Sequence, residues 1–101
     1  MTMGEDTNPT PADEVRRCAT ISNQRGLHAR AAAKFVKLAG QFNAAVLVAH
    51  RGIEVSGLSI MGLMMLAASP GACIDIRASG AEAEPAVTAL LQLIDRKFDE
   101  D

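Results

Sequence analysis

The stretch GLHARAAAKFVKLAG, residues 26–40, sets His28 and Arg30 on either side of one alanine, where a glycine-containing loop gives way to a helical pattern. A neutral imidazole can attack phosphorus, and the N–P bond it forms stays transferable because the protonated ring leaves readily. The first N–H groups of a helix lack acceptors within it, and the aligned peptide dipoles make that end positive by about half an elementary charge. An anionic group on His28 would therefore meet backbone N–H donors, with Arg30 adding a fixed positive charge. Gly26 lets the backbone turn tightly before the histidine and leaves the ring exposed to another protein. By spacing alone, the plainer reading of His28 as a polar residue at a helix start carries more weight.

A second cluster lies downstream. In GLSIMGLMMLAA, residues 57–68, Ser59 stands where a hydroxyl caps a helix start, and Leu58, Met61 and Met64 put apolar side chains around it. A helix this short cannot bury a methionine on every side, and flexible thioethers suit a surface that must fit several partners. Met61 and Met64 are therefore read as docking residues. Arg30, Lys34 and Lys37 form a basic stripe, ordinarily a solvated face, that here extends from His28 and can steer an acidic partner. GLSIMG has the glycine spacing of a nucleotide phosphate loop but continues with Leu63 and Met64 in place of Lys and Ser or Thr, so no nucleotide site follows. His50 has no cysteine or carboxylate set nearby and reads as a surface residue, and neither a metal nor a bound cofactor is expected.

These residues need elements to hold them. VRRCATI (15–21) has a period of two along Val15, Ala19 and Ile21, with Arg17 out of pattern, and predicts a strand. ARAAAKFVKLA (29–39) predicts a helix with Ala32, Phe35, Val36 and Ala39 on one stripe, stopped by Gly40. AAVLVA (44–49) and IEV (53–55) flank His50, Arg51 and Gly52 as a hairpin, and SIMGLMMLAA (59–68) predicts a short helix. ACIDIRA (72–78) alternates Ala72, Ile74, Ile76 and Ala78 against Cys73, Asp75 and Arg77, a strand with one apolar face. Ala83, Val87, Leu90, Leu91, Ile94 and Phe98 mark a long amphipathic helix, which Pro85 forces to start near Glu82. The order β-α-β-β-α-β-α with alternating strands predicts an α+β domain, its antiparallel or mixed sheet covered on one face by helices.

Hydrophobic residues make up 49% of the 101-residue chain, and with Trp and Tyr absent the core must be built from aliphatic and Met side chains. One domain over residues 15–101 is expected, behind a polar, acidic, flexible tail over residues 1–14. A net charge of -2 with dispersed basic residues argues against a nucleic-acid binder. The N-terminus has no signal-peptide pattern, and no apolar run approaches the ~20 residues that span a bilayer. A cytoplasmic monomer is expected. Cys18 and Cys73 are far apart and lack zinc-site spacing, so reduced thiols are expected.

SNQRGLHARAAAKFVKLA (22–39), followed by VSGLSIMGLMMLAA (55–68), resembles the two signature segments of the HPr family, the histidine phosphocarriers of the bacterial phosphoenolpyruvate-dependent phosphotransferase system. The likeness runs in register and element order over residues 15–98. It implies an open-faced β-sandwich, a four-stranded antiparallel sheet with three helices on one face. It implies that His28, in the family's G-L-H-A-R motif, is phosphorylated by enzyme I with Arg30 beside the phosphate, and that a IIA-type protein accepts the group. Ser59 matches the serine of S-I-M-G, which in some bacteria is the target of a dedicated serine kinase/phosphorylase. Leu58, Met61 and Met64 are similar to the family's docking patch. The family's sheet would also set the strands of Cys18 and Cys73 side by side, leaving open whether the thiols meet. One departure is Ala31, where the sugar-system form has proline; alanine there is similar to the nitrogen-related branch, often called NPr, and to the single HPr of some proteobacteria.

Three functions are distinguished on this basis. The leading one is a cofactor-free phosphocarrier, a phosphoryl-transfer intermediate rather than a stand-alone enzyme. The second is a non-catalytic allosteric module of the same fold, acting through Ser59 and the methionine surface. An enzyme with His28 as general base ranks last, because no carboxylate that would orient the ring is visible in the sequence.

Overall fold

The computed structural model describes residues 14–100, so the expected tail lies outside the described residues except for Glu14. In chain order the elements are β1 (Val15–Thr20), α1 (Ala29–Ala39), β2 (Ala45–His50), β3 (Ile53–Ser56), α2 (Ile60–Met65), β4 (Cys73–Ser79) and α3 (Ala83–Asp95). The strands form one sheet in the order β1-β4-β2-β3, with every neighbouring pair antiparallel. The strand with the clearest alternation, β4, thus lies inside the sheet. Its Ile74, Ile76 and Ala78 point into the core, where Ala19 faces Ile74, Val48 faces Ile76 and Val46 faces Ala78 across the ladders. Phe35 from α1, Leu63 from α2 and Val87, Leu90 and Ile94 from α3 close over them. The result is an open-faced sandwich with three helices.

The open face is polar. Arg16 pairs with Asp75 at 3.1 Å, and Arg77 pairs with Glu54 and, at 3.5 Å, with Glu14. Glu14 is therefore held against the sheet. Arg17, out of pattern in the sequence, faces Ile76 on the covered side and reaches Glu84 in the first turn of α3 at 3.7 Å. Its position at the sheet edge lets the guanidinium stay in water.

The same register corrects the expectation of reduced thiols. Thr20 lies opposite Cys73 and Cys18 opposite Asp75, so the two cysteines are diagonal neighbours on the open face. They form a disulfide, with their Cα atoms 6.4 Å apart.

Three boundaries also differ from expectation. His50 pairs with Ile53 and closes β2, leaving a two-residue loop in which Arg51 and Gly52 both have positive φ (52° and 81°), the turn that matches strand twist. The second helix ends at Met65, short of the expected Ala68, and buries only Leu63. Phe98 is buried but not helical: α3 ends at Asp95, and Lys97, Phe98 and Asp99 take φ of 59°, 55° and 57°. Left-handed backbone disfavours each such residue by roughly 1–2 kcal/mol, part of which burial of the Phe98 ring offsets.

Candidate functional site

The loop between β1 and α1 hangs on the segment before β4. Ile21 N–H donates to Ala72 O and Gly71 N–H to Ile21 O, both at 2.8 Å, and Leu27 N–H donates to Ala68 O at 2.9 Å. Gly26 has φ +68°, and a Cβ there would lie 2.6 Å from Ala68 O, so both conformation and space require glycine. His28 follows as the N-cap of α1, with φ -81° and ψ -178°. Its carbonyl accepts from Ala32 N–H at 2.8 Å, and its Nδ1 accepts from Arg30 N–H at 3.3 Å. The imidazole does here what a serine or aspartate does at most helix starts.

That bond assigns the ring. With Nδ1 as acceptor, a neutral imidazole carries its proton on Nε2. The Nδ1 lone pair faces the positive end of α1, and Nε2 faces Glu100, whose Oε2 is 3.7 Å away. Oε1 of Glu100 accepts from Arg25 N–H at 3.5 Å, while Oε2 is buried without a hydrogen-bond partner. A cleft of about 530 Å³ opens here, lined among others by Arg25, His28, Arg30, Lys34, Phe98 and Glu100. Arg25, Arg30 and Lys34 outnumber the carboxylates of Asp99 and Glu100 in this lining, which leaves the cleft net positive. Lys34 is tied down, donating to Phe98 O at 2.8 Å, whereas Arg30 and Lys37 are exposed. The expected basic stripe therefore divides into one residue bracing the C-terminal turn and two facing solvent.

The second cluster is on the surface. Ser59 caps α2, its Oγ accepting from Gly62 N–H at 2.9 Å. Leu58, Met61 and Met64 are exposed as expected, Met61 at 72%, and so is Met65 at 70%, which the sequence did not mark as a docking residue. α1 packs against α2, with Leu58 beside Gly40 at the C-terminal end of α1.

Two site residues escaped the sequence reading. Glu100 is the carboxylate it did not see beside His28; only the left-handed turn at Lys97–Asp99 brings it back over the ring. Asn23 is the one fully buried polar residue among those described, and lies five residues before the histidine in the same loop. A lone polar residue between turn residues carries no sequence signal that predicts its burial.

An open antiparallel sheet under three helices, with a histidine capping the first helix above a cationic cleft, defines a small α+β domain built to present one imidazole. Residues 15–96 match the family model for the PTS HPr component phosphorylation site. The phosphocarrier protein HPr of Cupriavidus necator is 44% identical over 86 residues, covering 85% of this chain and 97% of that protein. The phosphocarrier protein NPr of Shewanella violacea is 39% identical over 87 residues, covering 86% of this chain and 96% of that protein. Among solved structures, HPr-C-His from Thermoanaerobacter tengcongensis superposes with a TM-score of 0.82 at 39% identity, covering 86% of this chain and 98% of that one. The chain belongs to the HPr family, the phosphocarriers of the phosphotransferase system.

Proposed function

We propose that His28 carries the phosphoryl group, receiving it from enzyme I charged by phosphoenolpyruvate and passing it to a IIA-type acceptor. The observation that most supports this is the attitude of the ring, whose Nδ1 lone pair faces Arg30 N–H at 3.3 Å. In the transfer, that lone pair attacks phosphorus; the N–P bond on His28 forms as the bond from phosphorus to the donor breaks, its electron pair leaving with the donor. The proton on Nε2 stays, so the phosphorylated ring is cationic and remains a good leaving group for the next transfer. Glu100 lies on the Nε2 side and offsets that charge, while Arg30 N–H, released from Nδ1, turns to a phosphoryl oxygen beside the Arg30 guanidinium. Positioning and charge neutralisation suffice, without a general base.

Leu58, Met61 and Met64 form the docking surface for both partners, with Lys37 adding basic charge at its side. Ala31 and the NPr relative favour a regulatory, nitrogen-related system. Phosphorylation of Ser59 by a serine kinase would add charge and bulk amid Leu58, Met61 and Met64 and act on docking rather than on folding. The domain acts as a cytoplasmic monomer in this reading; no helix among the described residues is long and apolar enough to cross a membrane.

The test is intact mass after incubation with phosphoenolpyruvate and an enzyme I known to charge another carrier. One acid-labile phosphate on wild type and none on folded His28→Ala is the expected result. An unlabelled wild type leaves the allosteric-module reading, which the exposed methionines also support; regulation of a partner by His28→Ala but not by Met61→Asp then identifies it.

A further inference from the structure

We infer that Asn23 is a positioning residue for phosphoryl transfer, aiming the His28 ring through the Gly26 carbonyl; the inference rests on His28 being the phosphorylated residue. Asn23 grips both ends of one turn. Its backbone carbonyl accepts from Gly26 N–H at 3.3 Å, and its side-chain Nδ2 donates to Gly26 O at 2.8 Å. That same oxygen accepts from His28 N–H at 2.9 Å. One carbonyl thus ties the asparagine amide to the backbone of the histidine.

Turning the Gly26 carbonyl would turn the His28 amide and swing its Cα–Cβ bond, and with it the Nδ1 that meets Arg30 N–H at 3.3 Å. The Gly26 carbonyl shares one planar peptide group with Leu27 N–H, which donates to Ala68 O at 2.9 Å, so Asn23 and Ala68 hold that peptide from opposite edges while the Leu27 side chain is buried. Asn23 itself is 0% exposed, so it can touch neither a phosphoryl group nor a docking partner. Any effect it has on transfer must pass through His28. Aspartate would set a buried anion against the Gly26 oxygen, and alanine would leave that oxygen with His28 N–H alone while opening a small cavity.

The experiment compares wild type, Asn23→Ala and the milder Asn23→Ser with Leu90→Ala, a core variant on α3 that lowers stability by another route. Phosphate uptake from phosphoenolpyruvate-charged enzyme I is followed as a function of enzyme I concentration, under conditions where each variant is folded. For the Asn23 variants the saturated rate per folded molecule should fall by about tenfold or more, with half-saturation changed less than about twofold, as expected for a displaced nucleophile on an intact docking surface. Leu90→Ala should keep the wild-type saturated rate. The Arg30 amide resonance should move in the Asn23 variants and stay in place in Leu90→Ala.

Asn23 variants that transfer at the wild-type rate beside an active wild type would overturn this inference and leave the His28 reading standing. The same holds if rate loss merely tracks stability loss across all three variants. A wild type that takes no phosphate at all would remove the His28 reading and this inference with it. Should Asn23→Ala fail to fold, Asn23→Ser decides by the same two readouts.

Discussion

Reducing the Cys18–Cys73 disulfide should lower stability sharply and leave the phosphorylation site working. The bond links residues 55 apart in sequence. Closing a loop of that length restricts the unfolded chain by about 4 kcal/mol at 25 °C in the chain-entropy description, and native disulfides removed from small domains typically lower stability by about 2–5 kcal/mol. Taking the low end, a domain of this size should lose at least about 8 °C in Tm. The site should persist, because the loop bearing His28 is held by Ile21, Leu27 and Gly71 backbone bonds that do not pass through sulfur. The assay is thermal unfolding by circular dichroism with and without a phosphine reductant, with Cys18→Ser/Cys73→Ser as the permanently open form, alongside phosphate uptake well below both transitions. Reduced and double-serine forms should melt together, below the oxidised protein, and take up phosphate at an unchanged rate. Coincident melting of all three would refute the stability argument, and alkylation of both thiols in denatured, unreduced protein would refute the bond itself.

Gly26→Ala should cost more than about 2 kcal/mol, because φ +68° adds left-handed strain to a Cβ placed 2.6 Å from the backbone oxygen of Ala68; urea unfolding checks this, and a loss below 1 kcal/mol would mean the loop can shift. Met61→Asp should leave stability within about 0.5 kcal/mol, since Met61 is 72% exposed, yet raise the enzyme I concentration at half-saturation by roughly tenfold; an unchanged half-saturation would take Met61 off the docking surface. Ala31→Pro should keep phosphate uptake, because residue 31 is third in α1, where the helix makes no use of the amide N–H. Its stability should change by no more than about 1 kcal/mol, a lower unfolded-chain entropy working against the fit of a larger ring at a buried position. Loss of uptake by a folded Ala31→Pro would show that the site depends on alanine there.

What could be read ahead of the structure was whatever side-chain periodicity encodes. The alternation in ACIDIRA places β4 because one sheet face excludes water, and Ala32, Phe35 and Ala39 place α1 for the same reason. Phe98 is buried as its type predicts but reaches the core through a left-handed turn rather than along α3, because burial follows side-chain type while the path to it is a backbone matter. The disulfide was hidden for a related reason. Whether Cys18 meets Cys73 depends on a register in which Thr20 faces Cys73, and a slip of one residue would have sent Cys18 to the other face of the sheet.

The site divides along the same line. Spacing marks His28 and Arg30 as a pair at a helix start, but on spacing alone the plainer reading weighs more, and only the extended resemblance across both motifs points to phosphoryl transfer. What makes the pair a chemical device in the proposed reading is the direction of one ring, with Nδ1 toward α1 and Nε2 toward Glu100. That direction rests on one glycine with positive φ, one buried asparagine amide and one left-handed turn after α3. None of the three has a periodic signature, since each acts through the backbone at a single point. A chain in this family could keep every residue of G-L-H-A-R and still present the histidine badly, so the carrier's competence has to be sought in the residues that aim the ring as much as in the ring itself.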